Sequence, residues 1–210
     1  MKILAIGAHP DDIEAGCAGT LIKYAENGHD IYLLVMTDGG GGGDGKLRVS
    51  EQMKSGKIIG VKEIFWGGHK DTKIMADQDT IQKIEEVIKK VRPSFIFAHY
   101  FDDTHQDHRN LTAATISAAR YTKNMLFYEG PTTQNFTPTI FVDIDSSLEK
   151  KIDCLKAHLS QIDKTNITGV SILNVVHSQA NFRGVQGRFR NAEGFVPLRL
   201  IINITEGVGN

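Results

Sequence analysis

Two short stretches gather side chains that could act together. Ala8-His9-Pro10-Asp11-Asp12-Ile13-Glu14 holds an imidazole, a rigid turn residue and three carboxylates, and His105-Gln106-Asp107-His108 adds two imidazoles and another acid. His9 and Asp12, joined by His108, would make a two-histidine, one-carboxylate set. Imidazole nitrogen and carboxylate oxygen suit Zn2+, and three protein ligands leave one position open for water, as catalytic zinc sites require. Fe2+, Co2+ or Mn2+ would also accept such donors. An ion of this kind lowers the pKa of its water from about 15.7 to near 7. Asp11, beside a ligand but pointing elsewhere, is the candidate general base. If the chain enters a helix at His105, that ring and His108 share one face. Only one of the two needs to bind metal; the other could donate a hydrogen bond to an oxyanion, with an acid such as Asp107 helping to keep it protonated. Lewis acid, base and oxyanion donor together describe a hydrolytic site. Taken singly, each stretch has a plainer reading: the first as a helix cap, the second as solvated loop histidines.

These residues need elements that bring them together. Lys2 to Ala8 is a short apolar run that reads as a buried parallel strand, and Ala18, Leu21, Ile22 and Ala25 recur at helical spacing behind it. The alternation continues. Asp30–Thr37 reads as a strand, Leu47–Ile59 as a helix closing on Gly60, and Glu63–Trp66 as a strand. Asp79 or Thr80 caps the next helix, Ser94–Ala98 is the fourth strand, and a helix with Leu111, Thr115, Ala118 and Ala119 on its inner face follows the second chemical loop. Met125–Tyr128 and Thr139–Ile144 read as strands, Leu148 to Ile162 as one amphipathic helix, Val170 to about Ala180 as another, and Leu198–Ile204 as a last strand. The pattern predicts a single α/β domain over residues 1–210, a Rossmann-like, doubly wound, mostly parallel sheet. In the order 3-2-1-4-5-6 the loops after strands 1 and 4 face each other across the switch-point crevice. Those are the two chemical loops.

Composition narrows the partners. Net charge is −1, from 24 basic and 25 acidic residues, so no basic field favours nucleic acid or an anionic membrane. Cys17 and Cys154 read as small apolar helix residues, which suits a reducing cytosol. With no leader-like start and no membrane-length apolar run, the expectation is a cytoplasmic protein.

The two motifs, in this order and each after an apolar strand, resemble the LmbE-like, or PIG-L, N-acetylglucosaminyl deacetylases. Ala8–Glu14 is similar to the family's AHPDD(x)E motif and His105–His108 to its HxDH motif. The likeness extends to Gly19-Thr20, Arg48–Glu51, His158–Gln161, Arg183-Gly184, Gly187 and Ala192–Phe195. Ile13 after the two aspartates resembles bacterial members related to the bacillithiol-pathway deacetylase. The resemblance implies a zinc-dependent hydrolase that removes acetyl from an N-acetylated amino sugar or its conjugate. It implies that His9, Asp12 and His108 bind the metal, that Asp11 is base and then acid, and that His105 steadies the oxyanion. Arg48 would contact the sugar. It also implies a homo-oligomer, often a hexamer.

Several residues have competing readings. Glu14 is assigned to stabilising the first helical turn. Gly39–Gly45 is either a lid or a flexible connector; Gly40–Lys46 also fits a P-loop pattern, but Leu47 replaces the metal-binding Ser or Thr. Trp66 reads as packing, His99 as a buried histidine, and His158 and Gln161 as helix-face residues. Arg183, Arg188 and Arg190 suit either an anionic group or a plain surface. Another metal-dependent amidase is the nearest enzymatic rival.

Overall fold

A computed structural model describes residues 1–202. Strands β1 (Lys2–Gly7) and β2 (Asp30–Thr37) are almost wholly buried, as continuous apolar runs covered on both faces must be. They pair in parallel with each other, β2 with β3 (Val61–His69), and β1 with β4 (Phe95–His99). β4 pairs in parallel with β5 (Asn124–Tyr128). β6 (Ile140–Asp143) and β7 (Ala192–Arg199) complete the sheet, with β7 antiparallel to both β5 and β6. The order is β3-β2-β1-β4-β5-β7-β6. β1 and β4 are therefore neighbours at the switch point, and the loops behind them share one crevice.

Among the described residues six α-helices cover the two faces of this one domain: α1 (Asp12–Glu26), α2 (Gly45–Ile59), α3 (Gln78–Val91), α4 (Gln106–Ala118), α5 (Leu148–Lys156) and α6 (Ile172–Gly187). α1, α2 and α5 pack on one face, over Ile3, Ala5, Leu33 and Phe97, while α3 and α4 pack on the other, over Leu4, Leu34 and Ile96. None of the described helices is long and apolar enough to cross a membrane.

Local chemistry sets the helix ends. Asp44 accepts from the Lys46 and Leu47 amides to start α2, and Gly60 ends it at φ 85°, where glycine carries no steric cost. Ser171 and Asn174 form a reciprocal capping box on α6.

Several boundaries differ from the sequence reading, β3 running beyond Glu63–Trp66 at both ends, to Val61 and His69. α3 is capped by Asp77, whose carboxylate accepts from the Thr80 amide, rather than by Asp79 or Thr80. α5 stops at Lys156 instead of running to Ile162. Ser160 donates through both its amide (2.9 Å) and its hydroxyl (2.6 Å) to the Glu51 carboxylate, which draws the chain off the helical path. α6 runs to Gly187, well past Ala180. The last strand is Ala192–Arg199; Leu200 to Ile202 follow without strand pairing, and Asn203 and Ile204 lie outside the described residues. An apolar pattern passes over β7 because Glu193 sits inside it. That carboxylate is engaged by the Gly19 and Thr20 amides (2.9 and 2.8 Å) and by Lys151 (2.5 Å).

α1 lies unusually close to β5. A Cβ at Gly16 would meet the Tyr128 ring at 2.1 Å, and that ring is fully buried with its hydroxyl donating to Ile6 O. Gly16→Ala should therefore destabilise by about 1–3 kcal/mol in urea titrations despite alanine's better helix propensity, because neither backbone nor ring can yield.

Candidate active site

The turn after β1 is closed by its own acid: Asp12 Oδ2 accepts from the His9 amide at 2.7 Å. The same carboxylate then stands between two imidazoles. Its Oδ2 is 3.3 Å from His9 Nδ1, and its Oδ1 is 3.4 Å from His108 Nε2, which α4 delivers from across the crevice. A third ring, His99 at the end of β4, lies 3.2 Å from Asp12 Oδ2 and stacks flat on His108 with centroids 4.0 Å apart.

Each of the two facing imidazoles is held from behind by further acids. His9 Nε2 meets Asp71 Oδ1 at 3.0 Å and Asp107 Oδ2 at 3.3 Å. His108 Nδ1 meets Asp103 Oδ2 at 3.2 Å. These acids are fixed in turn. Asp107 accepts from the Thr72 and Ile74 amides, and Asp103 from the His105 amide and the Thr132 and Thr133 hydroxyls. A carboxylate behind each ring leaves the opposite nitrogen's lone pair for an ion. His108 Nε2 is buried and has no hydrogen-bond partner. Potential donor atoms of His9, His105 and His108 lie within 4.8 Å of one another, as do those of Asp12, His99 and His108, and of His9, Asp71 and Asp107. A buried lone nitrogen facing a carboxylate fits a divalent cation.

The electrostatics agree. Burial pulls His9 toward the neutral form, yet Asp107, Asp12 and Asp71 outweigh it and hold its pKa up to about 12. Burial likewise opposes protonation of His108, and Asp12 and Asp103 raise it to about 9. Burial also works against the Asp12 anion, but the positive charge of His108 and the hydrogen bonds from His108 and His9 hold that carboxyl well below its usual range. His99, buried beside His108, is pushed down to about 4 and stays neutral.

Asp11, in the same turn, also lines the open cavity. Its backbone lies at φ 98°, a left-handed conformation that costs a non-glycine residue on the order of 1–3 kcal/mol. Burial and the neighbouring Asp12 charge raise its pKa to about 6, against the lowering pull of Arg48. Arg48 Nη2 contacts Asp11 Oδ2 at 3.3 Å and donates to Pro10 O at 2.7 Å, while Nη1 donates to Gly39 O at 2.8 Å. It lines the cavity, but its guanidinium is largely occupied by this turn. His105 caps α4: its Nδ1 accepts from the Asp107 amide at 3.2 Å, so its Nε2 carries the proton when the ring is neutral. Burial and the charges on His108 and His9 lower its pKa. The Asp107 carboxylate goes to His9, not to His105.

These groups open into a cavity of about 670 Å3, ample for a small ligand. Gly41 and Gly42 form part of its wall, and Gly41 N donates to Asp71 Oδ2 at 2.8 Å, so the glycine run borders the site. Gln161 lines the rim, and His158 is buried 3.6 Å from Glu14; neither stands on a helix face, since α5 has already ended. Glu14 itself is not an exposed first-turn charge: it is wholly buried and accepts from Gln52 and Ser55. Trp66 lies in β3, away from the cavity lining. Arg183 is engaged by Glu129 through two contacts of 2.6 and 2.7 Å, and Arg188 and Arg190 are exposed.

Sequence reasoning missed Asp71 and Asp103. Asp103 stands two residues before His105 in an acid-rich loop, which was a usable signal. Asp71 follows the edge strand with no motif around it, and only the sheet order brings it to His9.

The fold and site together define a Rossmann-like α/β protein with a buried histidine–carboxylate centre at its switch point. Residues 4–119 match the family model described as GlcNAc-PI de-N-acetylase (PIG-L), and the chain belongs to that family. It is 35% identical over 167 residues to the uncharacterized deacetylase YaiS of Escherichia coli, covering 75% of this chain and 90% of that one. Diacetylchitobiose deacetylase of Thermococcus kodakarensis is 29% identical over 188 residues, covering 76% and 70%. The fold matches the conserved protein TT1542 of Thermus thermophilus at TM-score 0.85, with 22% identity and 99% of each chain covered.

Binding of Zn2+ or Mn2+ should expel the protons from His9 and His108. Calorimetry at pH 7.5 in buffers of different ionisation enthalpy should count about two protons released per ion, with affinity rising as pH rises. Asp103→Asn should weaken that affinity about 10–100-fold while the fold persists.

Proposed function

We propose that this protein is a metal-dependent hydrolase that removes the acetyl group from an N-acetylglucosamine-type sugar or conjugate. One observation carries this reading: a single, largely buried carboxylate, Asp12, is shared by His9 Nδ1 and His108 Nε2, while Asp11 and His105 stand at the same cavity. His9, Asp12 and His108 would hold the ion, zinc first, with Fe2+, Co2+ or Mn2+ also suited to the donors. A divalent ion there supplies Lewis acidity, polarising the acetamide and acidifying water.

The chain's own residues do the rest. Asp11, with its pKa near neutrality, accepts a proton from the attacking water and later returns it to the departing amine. Arg48 keeps the Asp11 carboxylate in place while leaving part of it exposed to the cavity. His105 needs no added proton to serve as oxyanion donor, because its Nδ1 accepts from the backbone and leaves Nε2–H free to donate. The family and its sugar-deacetylating relative support the acetamide as the bond cleaved. No strongly charged field, and two buried free cysteines, accord with a small-molecule substrate and a cytosolic setting. A homo-oligomer is the assembly we expect.

The test is amine release from a panel of N-acetylglucosamine conjugates, with metal content measured on the same sample. Asp11→Asn should lower kcat by about 10²–10⁴ with metal content unchanged. Because Asp11 must be ionised to act, activity should fall about tenfold per pH unit below a limb near pH 6. A metal-loaded protein that releases no amine from any N-acetyl sugar would defeat the reading.

A further inference from the structure

Gln52, on α2, is fully buried behind the site, and its side chain lies between two groups the mechanism above does not connect. Its Oε1 accepts from the Asp11 backbone amide at 3.3 Å, and its Nε2 donates to Glu14 Oε1 at 2.6 Å. Ser55 Oγ donates to the same Glu14 oxygen at 2.7 Å. Asp11 is the N-cap of α1, so its amide lies outside the helix ladder and is taken by this acceptor.

An amide side chain can present oxygen or NH2 to either neighbour. Here only one arrangement works. Flipped, Gln52 would face the Asp11 N–H with its own donor and the Glu14 carboxylate with its oxygen. The buried anion at Glu14 therefore decides that oxygen faces Asp11. One helical turn earlier on the same face of α2, Arg48 Nη2 contacts the Asp11 carboxylate and donates to Pro10 O. α2 thus holds Asp11 twice, by its main-chain amide and by its carboxylate.

The geometry points to Gln52 as the positioning residue for Asp11, with Glu14 and Ser55 fixing the orientation of its amide. This inference rests on the reading of Asp11 as the base, and it assigns a role to a buried acid–amide pair that contacts neither ion nor substrate. Gln52 keeps the turn in its left-handed conformation, so the Asp11 carboxylate points into the cavity and not back toward Asp12.

Three variants test this: Gln52→Met, Gln52→Glu, and Gln52→Glu combined with Glu14→Gln. Gln52→Met keeps the volume and removes both hydrogen bonds. It should lower kcat about 10–100-fold on any N-acetyl sugar the wild type hydrolyses, with KM within about twofold and metal content unchanged. Gln52→Glu alone places two carboxylates against each other and should lose kcat similarly. The double variant exchanges donor and acceptor between positions 14 and 52, still offers oxygen to Asp11 N–H, and should recover kcat to within a few-fold of wild type. A crystal structure of the metal-free Gln52→Met protein should show Asp11 out of its positive-φ conformation or off Arg48. The idea fails if Gln52→Met keeps wild-type kcat, if the double variant is no better than Gln52→Glu, or if Asp11 stays in place in the Gln52→Met crystal. If wild-type protein hydrolyses no N-acetyl sugar, the proposed function falls, and the crystal structure still decides this inference.

Discussion

The Asp12 carboxylate, largely withdrawn from water and within about 3.4 Å of three different imidazoles, is the constraint around which this molecule is built. A lone buried anion would be too costly to keep, and so would a lone buried cation. The pair becomes tolerable only because each ring is backed by a second acid and each of those acids is tied to main-chain amides or hydroxyls. The result is a tight polar network in which His108 Nε2 and His99 Nδ1 are left without hydrogen-bond partners. Such a network stabilises nothing unless it is complete, and its incompleteness is what makes it fit an ion.

The same logic governs the turn that carries the base. A left-handed aspartate is an unfavourable way to leave a strand, and it persists because α2 grips it at both ends. Arg48, Gln52 and Ser55 approach through three successive turns of that helix, and Glu51 on the neighbouring face ties down Ser160 and the chain that walls the cavity. α2 is thus less a piece of core packing than a bracket. Its buried residues are mostly polar, and an apolar-periodicity reading sees only a modest amphipathic helix there.

Burial and charge divide the acids between roles. Asp12, Asp71 and Asp103 are held ionised by neighbouring imidazoles, while Asp11, one residue away from Asp12, is pushed the other way by burial and by that neighbour's charge. Two adjacent aspartates therefore differ in what they can do at neutral pH.

How much of this was written in the chain can be judged residue by residue. The parallel run β1 to β5, its order through the switch point, the cap at Gly60 and the meeting of His9, Asp12, Asp11, His105 and His108 at one crevice all follow from apolar runs, turn chemistry and the rule that places ligands at a reversal of sheet winding. Local sequence marks each of those elements and turns, and the strand order general to doubly wound sheets then brings β1 and β4, and the loops behind them, together. Asp71 behind His9, the burial of Glu14 against Gln52, the early end of α5 at Glu51 and the shift of the last strand to Ala192–Arg199 were decided only by tertiary structure. In each case a polar side chain found its partner on a distant element. Hydrophobic pattern carries no record of which distant donor will face a buried acid, so that information existed only once the sheet had closed.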